Sequence, residues 1–237
     1  MRVRQLHPWD ASPAEAMRIQ GQLARQVVQE GQLDPASVRT VAGADISVAG
    51  KRGRAAVVIL SYPDLDVVEH AVAEAEVTFP YIPGLLAFRE VPILAQAFAQ
   101  VEAQPGLLVV DGHGYSHFRR FGIACHLGLL LDIPAIGCAK SRLCGEHGPV
   151  GDEPDSRAQL VDEGEVIGLL VRTRPGVRPV YASVGHRIAL DEAADWVLRL
   201  CRGYRLPEPT RLADQLAGGR LAIAAAPKEP SQQLSLF

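Results

Sequence analysis

The stretch from Leu107 to Ala139 constrains the fold more tightly than any other part of the chain. An apolar run, Leu107-Leu-Val-Val110, reads as a strand, Phe118–Leu131 as a helix, and Pro134–Ala139 as a second strand. Two strands joined through a helix pair in parallel, and the crossover is right-handed. Upstream, Val41–Val48, Ala55–Tyr62 and Val67–Val77 read as three strands, the last two separated by a turn at Pro63-Asp64. Such tight spacing predicts an antiparallel meander. A meander followed by a strand-helix-strand unit defines an α/β chain with a mixed sheet flanked by helices.

The remaining elements follow from local signals. Ser12-Pro-Ala-Glu15 is a capping box with Pro at the first helical position. Ala16, Ile19, Leu23 and Val27 continue at helical spacing, with Gly31 as the stop. A helix opening at Gly84 runs to about Glu102, and Pro92 predicts a kink or a restart just after Glu90. Val166–Arg172 and Pro179–Val184 flank Arg174-Pro-Gly-Val177 and read as a hairpin. Asp191 reads as the cap of a helix that presents Ala194, Val197, Leu198 and Cys201 and ends at Gly203. Residues 1–225 read as one domain and 226–237, rich in Pro, Gln and Ser, as a disordered tail.

Composition narrows the class. Of 237 residues, 48% are hydrophobic and 22% charged, which is ordinary for a soluble globular protein. No apolar run is long enough for a membrane span, and the N-terminus lacks a signal-peptide pattern. Cys125, Cys138, Cys144 and Cys201 show no CxxC spacing, so they read as reduced thiols of a cytoplasmic protein and not as a zinc site. A net charge of -3 gives no global sign of nucleic-acid binding. Local basic groups do exist, at Arg119-Arg120, Lys140-Ser-Arg142, and Arg199, Arg202, Arg205 and Arg211, and distribution matters more than the total for a groove that tracks phosphates.

Three carboxylates sit on these apolar elements: Asp45 within the first strand, Glu90 on a helix, and Asp111 at the carboxyl end of Leu107–Val110. Alternation places Asp45 on one strand face with Gly43 and Ser47, whose small size leaves room beside it. Asp111 occupies the sheet edge where open α/β sheets place ligands. Acidic groups on apolar elements are costly to bury without a partner, and an oxygen-only set suits Mg²⁺ or Mn²⁺. Taken singly, each of the three reads more readily as a cap, a turn former or an ion-pair partner than as a metal ligand, because spacing across different elements constrains nothing.

Five blocks of the chain together resemble the endonuclease V family in its bacterial form: Arg39–Val48, Phe79-Pro-Tyr-Ile-Pro-Gly-Leu-Leu-Ala-Phe-Arg-Glu90, Val110-Asp-Gly-His-Gly-Tyr-Ser-His-Phe-Arg-Arg-Phe-Gly-Ile123, Ile133–Leu143 and Pro207-Glu-Pro-Thr-Arg211. The resemblance implies a ribonuclease H-like fold and a Mg²⁺-dependent DNA repair endonuclease. It implies hydrolysis of the second phosphodiester bond 3′ to hypoxanthine (deaminated adenine), leaving 3′-hydroxyl and 5′-phosphate ends. It implies Asp45, Glu90 and Asp111 as ligands of a Mg²⁺ that Mn²⁺ replaces, and Pro80-Tyr81-Ile82-Pro83 as a strand-separating wedge. Gly84, Leu86, Gly112, Gly122 and Ile123 then match the flipped-base pocket. Lys140 fits a catalytic cation near the scissile phosphate, and His117, Arg119 and Arg120 fit phosphate contacts at a helix start. His113 reads as orienting Asp111, and His186 as a cap. One departure is Asp214, where some members carry His; it reads either as a further metal carboxylate or as a helix-surface acid.

The chain ends Gln233-Leu234-Ser235-Leu236-Phe237, which resembles the short peptide by which bacterial repair proteins dock on the sliding clamp. The expected partners are therefore inosine-containing DNA and that clamp, with the protein a monomer. Two other functions compete: an inosine-specific ribonuclease of the same fold, and a lesion-binding or clamp-adaptor module without catalysis.

Overall fold

The computed structural model describes residues 1–222. Its elements in chain order are α1 (Pro13–Ala24), β1 (Thr40–Ala49), β2 (Arg52–Ser61), β3 (Val67–Glu76), α2 (Leu86–Ala99), β4 (Leu107–Val110), α3 (Ile123–Leu131), β5 (Ala135–Ala139), β6 (Glu146–His147), β7 (Arg157–Asp162), β8 (Glu165–Val171), β9 (Val180–His186), α4 (Leu190–Arg199) and α5 (Glu208–Ala217).

The strands form one sheet in the order β3-β2-β1-β4-β5-β9-β8-β7-β6. The meander β1-β2-β3 is antiparallel. The centre, β1-β4-β5, is parallel, and β9-β8-β7-β6 returns antiparallel. Central parallel strands are covered on both faces, which is why β4 and β5 are buried at every residue. Along the sheet, Val41, Val58, Leu107, Val109 and Ile136 pack on one side against Trp196, Val197, Ala213 and Leu216 of α4 and α5. Ala42, Ala44, Val57, Leu108 and Val110 pack on the other against Val91, Leu94 and Phe98 of α2 and Ala124 and Leu127 of α3.

Several elements depart from the sequence expectation. The capping box of α1 is present, with Ser12 Oγ accepting from the Glu15 N–H at 3.3 Å and the Ser12 N–H donating to Glu15 Oε2 at 2.8 Å. The helix nonetheless ends at Ala24, well before Gly31. The chain beyond it is captured instead by the β9–α4 connection, through Arg187 N to Val28 O at 2.7 Å and Ala189 N to Gly31 O at 2.9 Å. Helix α2 runs without interruption through Pro92, so no restart occurs after Glu90. The lost backbone bond is outweighed by burial of Val91, Ile93 and Leu94 on either side of it. Helix α3 begins at Ile123 and not at Phe118: Arg120 has φ +55°, outside the helical region, and residues 117–120 form a turn closed by Arg120 N to His117 O at 2.8 Å. Asp191 lies in the first turn of α4, where its charge suits the helix dipole, while Ala189 is the cap residue. The sequence reading missed β6 and β7, which carry mostly exposed or half-buried residues and little periodicity.

Candidate active site

Parallel pairing brings the first two carboxylates together. The β1–β4 register matches Gly43 with Val109 and Ala44 with Val110. The next residue on each strand is an aspartate, Asp45 and Asp111, and the Asp111 N–H reaches the Ala44 carbonyl at 3.3 Å. Alternation turns both toward the α5 side of the sheet, the side of Val41 and Val109.

Helix α5 supplies a third. A Cβ on Gly43 would stand 2.0 Å from the Pro209 carbonyl oxygen, so only glycine lets the start of α5 press onto β1. The helix then carries Asp214 to the pair, and Asp45, Asp111 and Asp214 each offer an oxygen within 4.8 Å of the others. Glu90 rises from α2 on the opposite face and stands outside this trio, yet close enough for Asp45 and Asp111 to act on its charge. Asp214 thus joins the site beside Glu90; its one sequence signal was its departure from His.

The electrostatics are those of partly buried acids held close together. Burial, then the charge of Asp111, pushes Asp45 up to about 7. Burial, then the charge of Asp45, pushes Glu90 up to about 8. Asp111 is raised by burial against the pull of Lys140. Lys140 Nζ lies 2.5 Å from Asp111 Oδ2 and 3.3 Å from Asp214 Oδ1, and Arg220 also pairs with Asp214. The Lys140 ammonium is thus the charged partner of that buried Asp111 oxygen. Three carboxylates that each offer an oxygen within 4.8 Å of the others make an oxygen-only donor set that fits a hard divalent cation.

Beside the acids lies a cavity of about 160 Å³. Gly84, Leu86, Gly112, Gly122 and Ile123 all line it, and so do Tyr81, Ile82 and Pro83. Tyr81 is 71% exposed, and Arg89 Nη1 holds the Phe79 carbonyl at 3.0 Å just before this segment. The wall also includes Gln20, Ala87, His113, His117 and Leu143, of which Gln20, Ala87 and Leu143 went unread in the sequence. Gln20 did carry a signal, as an amide on the apolar stripe of α1 between Ala16 and Leu23.

The histidines and arginines have internal partners. His113 does not bond Asp111; its Nδ1 pairs with Ser116 Oγ at 2.8 Å and its Nε2 with the Ser141 carbonyl at 3.0 Å. His117 lies in a turn and not at a helix start, and its Nε2 donates to the Gly84 carbonyl at 3.0 Å. Arg119 donates to Gln20 Oε1 at 2.6 Å and to the Gly84 carbonyl at 2.7 Å. Arg120 pairs with Asp162 and Glu165, each at 2.7 Å. His186 caps no helix; its Nδ1 accepts from the Val28 N–H at 3.2 Å. Cys125, Cys138, Cys144 and Cys201 are all free thiols.

A mixed sheet whose parallel centre presents clustered carboxylates, faced by a lysine, has the ribonuclease H-like architecture of a nuclease, and its acidic trio is a group able to hold a metal ion. The endonuclease V family model matches residues 21–215. Endonuclease V of Gloeobacter violaceus is 52% identical over 213 residues, covering 88% of this chain and 86% of the relative. Among solved structures, endonuclease V of Streptomyces avermitilis superposes with a TM-score of 0.85 at 41% identity, over 92% of this chain and 97% of that one. A Ciona intestinalis endonuclease V, in complex with DNA containing an inosine followed by a ribo-adenosine, superposes with a TM-score of 0.77 at 28% identity, over 87% and 95% of the two chains. The chain belongs to the endonuclease V family. It is an endonuclease, a hydrolase of phosphodiester bonds.

Proposed function

We propose that the protein recognises hypoxanthine in DNA and hydrolyses the second phosphodiester bond on its 3′ side, leaving 3′-hydroxyl and 5′-phosphate ends. The observation that carries this reading is that Asp111 and Gly112 are consecutive, the first in the acidic trio and the second in the cavity wall. Recognition and cleavage thus meet across one peptide bond. The Ciona complex, with inosine-containing DNA, supports the ligand.

In this reading Asp45, Asp111 and Asp214, with Glu90 adjoining, would hold Mg²⁺, for which Mn²⁺ would substitute. The bound ion would stabilise negative charge on the scissile phosphate. Lys140, already held between Asp111 and Asp214, places a further cation where that charge develops and where the attacking water is oriented. The segment Pro80–Pro83 acts as the wedge: Tyr81 projects into solvent and two prolines stiffen the tip, so little conformational freedom is lost on insertion. Unstacking the base costs on the order of a few kcal/mol, less at a mispair. Main-chain groups of the cavity wall read the exposed base edge. The internal contacts of His117, Arg119 and Arg120 argue for shaping this wall over holding phosphates.

The test is nicking of a duplex with one inosine in the presence of Mg²⁺. Wild-type protein should nick at the predicted bond, and Asp111→Asn should abolish nicking while retaining binding. Nicking by Asp111→Asn at the wild-type rate would overturn the site. A second reading, an inosine-specific ribonuclease, is favoured by the ribo-adenosine that follows inosine in the Ciona complex. Matched substrates with and without a 2′-hydroxyl at the cleaved position separate the two.

The clamp motif Gln233–Phe237 lies outside the described residues. Docking on a sliding clamp is retained as a proposal, and deletion of those five residues should remove the protein from a clamp pull-down.

A further inference from the structure

Side chains from two segments of the chain converge on one backbone atom of the cavity wall. The Gly84 carbonyl accepts from Gln20 Nε2 at 3.0 Å, His117 Nε2 at 3.0 Å and Arg119 Nη2 at 2.7 Å. The donors are themselves fixed. Gln20 is 0% exposed, its amide also donates to the Phe121 carbonyl at 3.1 Å, and its Oε1 accepts from Arg119 Nε at 2.6 Å. Two carbonyl acceptors and one guanidinium donor allow a single orientation of that amide. His117 Nδ1 accepts from the Arg119 N–H at 3.1 Å, which leaves its proton on Nε2, aimed at Gly84.

The pinned peptide needs such support. Gly84 has φ +78°, and without a side chain the peptide plane between it and Leu85 turns over at little cost. Here that plane is held at both ends, because the Leu85 N–H donates to the Ile82 carbonyl at 2.9 Å. It stands directly after Pro83 of the wedge and directly before α2, which carries Glu90. Gln20, Gly84 and His117 all face the cavity.

We propose that Gln20 is a positioning residue that, with Arg119 and His117, locks the Gly84–Leu85 peptide and so sets discrimination between hypoxanthine and adenine. The inference rests on the base-recognition reading above. The two bases share one outline and differ in donors and acceptors along a single edge. A wall that tells them apart must keep stray acceptors away from that edge, since a Gly84 carbonyl free to turn into the cavity would accept from adenine's amino group and repel the oxygen that hypoxanthine presents there. Gln20 supplies that stiffness without touching the reacting atoms.

The measurement is the ratio of kcat/KM for an inosine duplex to that for the matched adenine duplex, with Mg²⁺, on full-length protein. Gln20→Leu should lower the ratio about tenfold or more, the loss of one differential hydrogen bond of ordinary strength. Arg119→Lys should do the same, and the double variant should fall no further than the worse single, because both act on one peptide. A merely structural role would reduce both rates alike and leave the ratio where it was. An unchanged ratio in folded variants overturns the proposal. Should Gln20→Leu fail to fold, Arg119→Lys, at a half-buried position, carries the test. Wild-type protein that prefers neither duplex overturns this proposal and the reading beneath it together. A wild-type preference that survives both substitutions overturns the pin alone.

Discussion

Asp111 holds two roles through its neighbours: its carboxylate belongs to the acidic trio and the residue after it to the cavity wall. Lys140 faces Asp111 and Asp214 together, so Lys140→Ala should cut the nicking rate by about two to three powers of ten, the range seen when a preorganised charge-stabilising group is removed. Single-turnover kinetics on inosine duplex checks this, and a rate within twofold of wild type would remove Lys140 from the chemistry. Elsewhere, the buried His126 bonds His7 at 2.8 Å, and its Nδ1 has no partner. Burial pushes His126 down to about 3, from 6.5. A depressed histidine contributes stability that is present above about pH 6.5 and lost as pH falls toward its folded value, since the unfolded chain takes up the proton first. The wild-type protein should therefore lose stability between about pH 6.5 and pH 4, and His126→Leu should flatten that slope. Urea unfolding at two pH values compares the two proteins, and equal slopes would contradict the assignment.

At the scale of elements, the site depends on how closely α5 approaches β1. Gly43→Ala would drive a Cβ against the Pro209 carbonyl, displacing the helix that carries Asp214. The expected cost is about 1–3 kcal/mol, as for other overpacked interiors, with nicking reduced because the trio opens. Chemical denaturation and a nicking assay on the same preparation test both halves. The helices also show where local signals stop. The capping box of α1 was readable because both partners lie within four residues. The end of α1 and the start of α3 were not, because contacts with residues far along the chain, Arg187 and Ala189, and a left-handed Arg120 decided them. Pro92 predicted a break that the buried face of α2 overrides.

Across the whole molecule, two faces of one sheet deliver acids to one end of the parallel centre. Asp45 and Glu90 are raised to about 7 and about 8, so without a cation they hold protons that the unfolded chain has already released. Their contribution to stability is present at low pH and lost as pH rises through about 7 to 8. A divalent cation competes with those protons, so its binding strengthens with pH. The rise in melting temperature on adding Mg²⁺ or Mn²⁺ should accordingly be larger at about pH 8 than at about pH 6. Asp45→Asn with Asp111→Asn should abolish it. Differential scanning fluorimetry reads the effect, and a cation shift that ignores pH and both substitutions would place the ion elsewhere.

The sequence by itself determined the strand-helix-strand centre, the meander and the adjacency of Asp111 to Gly112, because each is encoded in consecutive residues or a short periodic pattern. It also marked the blocks around Asp45, Glu90 and Asp111 through a family resemblance that the match over residues 21–215 bears out. Only the tertiary structure decided that Asp45 and Asp111 are register neighbours, that α5 brings Asp214 to them while Glu90 comes from the opposite face, and that Gln20 grips Gly84. The reason is physical: strand register, helix approach and side-chain convergence arise from packing between residues distant in the chain, and no local spacing encodes the distances across which they meet.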